Sequence, residues 1–531
     1  MNYDVAIAGA GPVGLLLACE LGLAGVRTVV LEQLSDPNLP TRAAGLGGRA
    51  LNIASLEAFY RRGLMDDLRN SAALWLGQPD KDPSGPEQAT GPQFRFAGHF
   101  AGIMVNGAVV DYGDPEFHQK GPAAAGCVID LVSLEKVLAR RAGDLGVLIR
   151  RGVSVTAFSQ RDNAVTIHTS ADTVRAGWLI GCDGGRSTVR KLAGFAFPGT
   201  PPEITAYSAM VQITDPGMLN PGWNRTPAGV YVYGPGPNRV LIVEFKGPPA
   251  DRDALVTKEE LQASLRHVSA TDVTISGVFA ATRFTDNARQ ATSYRRGRVL
   301  LAGDAAHVHS PFGGQGMNLG LGDAMNLGWK LASVIKGWTP EELLDTYTEE
   351  RHPIGAWALD WTRAQIALMR PEPHARAMGE ITKELIETRA GATYFAKRIA
   401  GVWQRYNLGF EHPLVGGSAP DLAFKDGTRL GPYLQPGRAV LFRFVNLSNH
   451  KVEEQERFRL IRTECVEPPP VRALFIRPDG FIAWAGDEDG EGLMTALRRW
   501  LGVPAQPAVC LADLAGGMPK VNIRETNSWS Q

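Results

Sequence analysis

The sequence predicts an α/β protein in three parts: a Rossmann-like dinucleotide-binding domain, an antiparallel-sheet domain set against it, and a small C-terminal α/β domain. Three observations predict it. Gly9-Ala10-Gly11-Pro12-Val13-Gly14 stands between a short apolar run and a helical pattern. From about Pro198 to Phe284 the texture turns to strands, with Gly234-Pro235-Gly236-Pro237-Asn238 as the turn between Tyr231–Tyr233 and Arg239–Phe245. After about residue 405 the pattern shifts again. At 531 residues the chain exceeds what one core usually holds.

Asp4–Ala8 reads as the first strand, and a helix follows from about Pro12 to Ala24, with Leu15, Leu16, Ala18 and Cys19 available for packing. Gly25 ends it, and Thr28–Glu32 is the second strand. Gly9 permits the tight bend, Gly11 lets the backbone approach a pyrophosphate, and Gly14 lets the helix pack closely on the strand. The helix start then offers free N–H groups and the positive end of its dipole to phosphate. Glu32 closes the second strand. A carboxylate there accepts ribose hydroxyls and repels a 2′-phosphate, so the turn suits the ADP half of FAD or NAD rather than NADP.

Residues 77–126, rich in Gly, Pro and aromatics (Phe94, Phe96, Phe100, Phe117), read as an excursion from the core sheet. Leu131–Leu145 is predicted as a helix, and Val153–Phe158 and Ala164–Thr169 as strands. Val299–Ala302 returns as a buried parallel strand, before helices over Met317–Lys336 and around Pro340–Met369. In the last part Ala439–Val445, Val471–Ile476 and Gly480–Trp484 read as strands and Glu491–Leu501 as a helix, with Asn522–Gln531 a loose polar tail.

Composition narrows the function classes. Lys+Arg and Asp+Glu number 55 each, so no excess charge argues for a nucleic-acid or membrane-surface partner. Cys19, Cys127, Cys182, Cys465 and Cys510 lie far apart with no C-x-x-C, which supports neither a metal site nor a dithiol and suits a reducing cytoplasm. The apolar stretch Val5–Val26 lacks a basic leader region, carries Glu20 and is broken by glycines, so it is not read as a signal peptide. No apolar run is long enough to span a bilayer. G-x-S-x-G, H-E-x-x-H and Walker A patterns are absent, which removes support for hydrolase, zincin and P-loop readings.

Two further segments carry a resemblance. They are Trp178-Leu179-Ile180-Gly181-Cys182-Asp183-Gly184-Gly185-Arg186-Ser187-Thr188-Val189-Arg190 and the run from Gly297 through Gly303-Asp304-Ala305-Ala306-His307 and Ser310-Pro311-Phe312-Gly313-Gly314-Gln315-Gly316-Met317-Asn318. With the first turn, their order and spacing over roughly the first 400 residues resemble the single-component FAD-dependent aromatic hydroxylases, the flavoprotein monooxygenases that include p-hydroxybenzoate hydroxylase. The resemblance implies that FAD is bound by Gly9, Gly11, Pro12, Val13, Gly14, Glu32, Gln33, Arg42, Arg49, Val155, Asp183, Gly184, Gly303, Asp304, Pro311, Gly314, Gly316, Met317 and Asn318, with Asp304 on the ribityl chain. Pro311 and Arg42 are the catalytic candidates it implies, and Arg186 a candidate for a nicotinamide phosphate. Where relatives often have Gln or Arg near position 127, this chain has Cys127, so a flavin contact there is backbone only or absent.

The resemblance implies a cycle in which NADPH or NADH, as a transient reductant, reduces FAD. The reduced flavin takes up dioxygen, and a flavin hydroperoxide hydroxylates a phenol-like ring. No second G-x-G-x-x-G for the reductant is present, as is usual in this family. Phe94-Arg95-Phe96-Ala97-Gly98-His99-Phe100-Ala101-Gly102-Ile103 resembles a segment of bacterial polyketide and antibiotic hydroxylases. Arg477-Pro478-Asp479-Gly480-Phe481-Ile482-Ala483-Trp484 resembles the signature of their C-terminal thioredoxin-like domain. The domains implied are FAD-binding over 1–76, 127–197 and 285–400, substrate over 77–126 and 198–284, and thioredoxin-like over 405–531. The substrate expected is a bulky polyketide-like phenol or quinone, the setting cytoplasmic, and the assembly a monomer or homodimer.

His307 and His309 read as structural rather than catalytic. Tyr231, Tyr233 and Phe245 suit either a substrate pocket or sheet packing, and Trp357 and Trp361 suit a core. Alternatives are Baeyer–Villiger insertion or epoxidation on a similar substrate, and a non-catalytic flavin-binding protein. A flavin halogenase would need a Trp-x-Trp-x-Ile-Pro segment, which is absent.

Overall fold

The computed structural model describes residues 2–38, 42, 46, 48–71, 73–75, 94–117, 121–124, 126–234, 236, 238–252, 254–444, 454–487 and 491–503. Residues 77–93 of the aromatic-rich excursion, Cys510 and the 522–531 tail lie outside them.

Five parallel strands run in the spatial order Val299–Leu301, Thr173–Gly181, Asn2–Ala8, Thr28–Glu32, Leu148–Arg151. Val5, Ile7, Val29, Val30, Leu179 and Ile180 are wholly buried, as expected of parallel strands covered on both faces. Val155–Arg161 and Ala164–Thr169 extend this sheet in antiparallel fashion from Thr173–Gly181. The helix Pro12–Leu23 packs against both Leu131–Asp144 and Gln315–Ile335.

A second sheet is antiparallel, in the order Gly222–Thr226, Gly229–Tyr233, Arg239–Glu244, Thr205–Ile213, Ile275–Phe284. Leu261, Leu265 and Val268 of a helix over Lys258–Ser269 cover one face and bury Tyr231 and Ile242. The sequence pattern predicts sheet alone here, and the structure adds this helix. The helix signal was present: Thr257 Oγ accepts from Glu260 N, the capping pattern that precedes an apolar stripe at helical spacing. The other face, through Ala206, Val230 and Val243, joins the hairpin Phe96–Phe100/Ile103–Asn106 and the helices Asp345–Met369 and Arg389–Ala400 in one core.

The last part is a four-stranded sheet, Phe458–Arg462, Ala439–Arg443, Ala473–Ile476, Ile482–Gly486, with the helix Glu491–Leu501 against it. Its core is continuous with Leu319, Trp329, Ile354 and Ala358 of the two long helices. Charged groups cross the same junction. Arg477, wholly buried, donates to both oxygens of Glu350 (2.9 and 2.8 Å) and to Asp479. Lys330 Nζ lies 3.0 Å from Glu350, and Asn326 donates to the same carboxylate. Arg62 pairs with Glu20 and donates to the Pro478 carbonyl. The Arg477-Pro478-Asp479-Gly480 turn is thus set into the first 400 residues from two sides.

Among the described residues the four cysteines are free, no helix is long and apolar enough to cross a membrane, and no cluster of His, Cys, Asp or Glu could hold a metal ion.

Candidate active site

The sheet brings the three sequence-distant glycine segments together. Val299–Leu301, Thr173–Gly181 and Asn2–Ala8 are neighbours, and their carboxyl ends lead into Gly303-Asp304, Asp183-Gly184 and Gly9–Gly14. The next strand ends in Glu32. Ligands of open parallel sheets bind beyond these ends.

The three glycines of the first turn have different physical reasons. Gly9 has φ +106°, and a Cβ there would stand 2.4 Å from the Cys182 carbonyl oxygen. A Cβ on Gly14 would meet Gly9 O at 2.1 Å. Both are required by the protein itself. At Gly11 a Cβ would meet nothing within 4 Å, so that glycine keeps space open in front of the helix. Pro12 sits in the first helical turn, where its missing N–H costs nothing. Val13 lies beside Gly303 and Gly320, which brings this helix start next to that of Gln315–Ile335. Glu32 is buried and oriented by Ala10 N (2.7 Å) and Leu34 N (2.8 Å), while Gln33 is exposed.

Asp304 is exposed between buried Gly303 and Ala305. Behind it Gly303 N donates to Asp323, a wholly buried carboxylate that also holds His307 Nε2 (2.7 Å) and Arg351 (2.8 Å). His307 therefore belongs to a structural ion cluster. Asp183 spends both oxygens within its own turn, on Ser187 Oγ and Val189 N. Arg186 is exposed, and Gly184 has φ +75°. Arg190, not singled out from sequence, donates to Gly185 O (2.8 Å) and Ala305 O (3.0 Å) and so ties the Asp183 turn to the Asp304 turn.

The second helix start repeats the logic of the first. Gly314 is the N-cap of Gln315–Ile335 with φ +64°, no side-chain cap, and nothing within 4 Å of a Cβ position. By contrast Asn52, Asp130, Ser187, Thr257 and Thr388 cap their helices with side chains. Uncapped N–H groups need another partner and favour negative charge. Pro311 is exposed, and its carbonyl accepts from Gly314 N at 3.1 Å.

Not every candidate presents its side chain to the cleft. Asn318 is buried and fully engaged: its oxygen accepts from Asn52 N and Ser55 Oγ, and its amide donates to Ala50 O and Gly314 O. Its side chain positions the helix start, and all its amide groups are engaged there. Met317 is half-buried, as is Val155 on its edge strand. Arg49, by contrast, is exposed and near enough to Asp304 to feel its charge, while it donates to the carbonyls of Leu46 and Gly48. Arg42 is paired with Glu135, and among the described residues no hydrogen bond joins it to the Pro311–Asn318 turn. Burial raises the Glu135 carboxyl to about 7, against the pull of Arg42 and Arg151 and with a further push from Glu32. That pairing places Arg42 near the Glu32 end of the cleft.

On the other side lie aromatics. Phe312, within the glycine turn, faces Trp223 and Phe284 at ring distances of 6.2 and 6.0 Å. His99 packs on Trp223 at 4.7 Å, and burial lowers its pKa to about 4. Phe100 packs on Trp361, which stacks on Trp357. Tyr233 packs with the core under Lys258–Ser269 and Phe245 with the core of the opposite face. The hairpin tip is pinned: Ala101, at φ +52°, receives Arg225 on its carbonyl, and its N–H donates to Gln365 Oε1. Gln365 Nε2 in turn donates to Phe312 O. Gln365→Leu would leave the Ala101 N–H without its partner and is expected to cost about 1–3 kcal/mol, read as a lower denaturant midpoint. An unchanged midpoint would contradict this bridge.

A dinucleotide cleft with two glycine-capped helix starts, facing an aromatic-lined sheet, defines a flavin-dependent enzyme of aromatic compounds. Residues 2–362 match the family described as FAD binding domain, and residues 412–504 the aromatic-ring hydroxylase C-terminal domain. The chain is 39% identical over 534 residues to 12-dehydrotetracycline 5-monooxygenase/anhydrotetracycline 6-monooxygenase of Streptomyces rimosus, covering 95% of this chain and 100% of that one. It is 35% identical to dialkyldecalin synthase of Streptomyces rugosporus, over 95% and 100% of the two chains. The solved structure of OxyS anhydrotetracycline hydroxylase from Streptomyces rimosus superposes with a TM-score of 0.81 at 35% identity, covering 95% of this chain and 100% of that one. The chain belongs to the FAD-dependent aromatic-ring hydroxylases and is a flavoprotein monooxygenase.

Proposed function

We propose that the protein uses NAD(P)H and dioxygen to hydroxylate a bulky, polycyclic phenol or quinone of the polyketide class, in the cytoplasm. The observation that carries the cofactor site is the pair of open, glycine-capped helix starts at Gly11 and Gly314. The first turn and its helix would hold the pyrophosphate, Glu32 the ADP ribose, and Asp304 the ribityl chain. The uncapped N–H groups of Gln315–Met317 would face the pyrimidine end of the ring system. Bound FAD supplies electron transfer from NAD(P)H and the activation of dioxygen. The protein's residues orient and exclude water. The second helix start favours negative charge on the ring system. Phe312, Trp223 and Phe284 present apolar faces, and neutral His99 offers a hydrogen-bonding edge beside them. Arg42, paired with Glu135, has an anchoring role rather than one in oxygen transfer. A polycyclic substrate is supported by this aromatic lining and by the tetracycline-type substrates named for the relative from Streptomyces rimosus.

The test is a panel of polycyclic phenols and quinones, scored by stimulated NADPH and NADH oxidation and by product mass under ¹⁸O₂. One labelled oxygen in the product is expected. Stimulated oxidation with no oxygenated product from any member would overturn the proposal. The relative named as a synthase gives a second reading, conversion without oxygen transfer, which the same panel reveals as a product of unchanged mass. Ring-oxygen insertion would show in the regiochemistry.

A further inference from the structure

His309 carries a polar atom that the protein leaves unused. Its Nδ1 lies 2.8 Å from the Ser310 carbonyl oxygen, which can only accept, so Nδ1 bears the proton. Burial lowers the pKa of the ring, which favours its neutral form. The tautomer is therefore fixed, and Nε2 is left as a bare acceptor. That Nε2 is shielded from solvent and has no hydrogen-bond partner among the described residues. Its neighbours place the ring. The Cβ position of Gly316 lies 3.6 Å from His309 Nε2 and 3.9 Å from Asp304 Oδ1, so imidazole and carboxylate converge on the start of the Gln315–Ile335 helix. His307 does not share this arrangement, since its Nε2 is engaged by Asp323. A buried acceptor without a donor is costly, and Asp304 beside it faces the cleft.

We propose that His309 Nε2 accepts a hydrogen bond from a hydroxyl of the FAD ribityl chain, next to the hydroxyl taken by Asp304. This makes His309 a cofactor-positioning residue of the cleft, and it rests on FAD binding there. Ser310 then has a defined part: its carbonyl fixes the tautomer that leaves the acceptor pointing inward. A His⁺ at this position would lose the acceptor, which gives burial a function beyond packing.

The experiment measures FAD affinity of the apoprotein by quenching of flavin fluorescence, with no turnover required. His309→Leu is expected to weaken FAD binding roughly tenfold, the scale of one hydrogen bond in a closed site. His309→Gln, whose side-chain oxygen can replace the acceptor, is expected to recover most of it. FAD analogues lacking a single ribityl hydroxyl complete the cycle. One of them should bind the wild type less tightly, yet bind the Leu variant as well as FAD does. ¹⁵N spectra of labelled histidine should show the Nδ1-protonated tautomer without FAD and a shifted Nε2 with it. A Leu variant that binds FAD within about twofold of wild type, or loses affinity equally for every analogue, overturns the inference. Equal losses in the Leu and Gln variants, together with a lowered melting point of the apoprotein, also overturn it by showing a packing role. Wild-type protein that binds no FAD would instead overturn the cofactor site as a whole.

Discussion

Arg477→Met is expected to destabilise the protein by about 3–5 kcal/mol, the cost of deleting one member of a buried ion cluster. The substitution nearly keeps the side chain's volume but removes the charge that both Glu350 and Asp479 face. Glu350 would retain Lys330 and Asn326, while Asp479 would lose its ion-pair partner among the described residues. Thermal and denaturant unfolding measure the loss, and a change below about 1 kcal/mol would show that the cluster is not a clasp. The same cluster predicts an acid limit. Burial alone would raise the Glu350 pKa, but Arg477 and Lys330 outweigh it and bring it down to about 2 from 4.5. A depressed carboxylate contributes its stability above the unfolded pKa. That contribution should fall away between pH 4.5 and 2 in the wild type. It should be much smaller in Arg477→Met, where the main cation holding the carboxylate ionised is gone.

Gly11→Val and Gly14→Val separate cofactor space from protein packing. Gly11 has an ordinary φ and no neighbour within 4 Å of a Cβ position, so the apoprotein should lose little stability. The new side chain would occupy the approach to the helix start, and FAD affinity should fall about 100-fold or more, about 2.7 kcal/mol. Gly14→Val places atoms where Gly9 O already lies at 2.1 Å, so the fold itself should suffer, by about 3 kcal/mol or more. Flavin fluorescence titration and apoprotein melting, measured on both variants, give a crossed pattern. Equal behaviour of the two would refute the division of labour.

What sequence reading captured follows from where physics acts locally. Gly9, Gly11, Gly14 and Glu32 all lie within one strand–turn–helix–strand unit, so their spacing carries the information. Gly303-Asp304 and Gly314 are similar cases, with left-handed φ at both glycines. The destinations of side chains depended on partners far away in the chain. Asn318 carries an apt group for a ligand, yet it is consumed by Ala50, Asn52 and Ser55. Arg190, Gln365 and Arg225 bridge segments that nothing in sequence brings together. Asp323 did leave a trace: a lone carboxylate within Leu319–Met325, an otherwise apolar and glycine-rich helical run, marks a buried charge. The helix Lys258–Ser269 was hidden less by physics than by its surroundings, since strands flank it on both sides.

The neighbouring strands that carry Gly9, Asp183 and Gly303 have a consequence for the order of events during synthesis. The first turn emerges from the ribosome almost at once, but its sheet partner Thr173–Gly181 comes much later, and Val299–Leu301 later still. Until the chain through Asn318 is available, the first helix start faces no counterpart and the Asp304 turn does not exist. Capture of FAD is therefore a late step that closes long loops together. Nascent chains stalled before that point should remain without flavin, however well their first βαβ unit has folded.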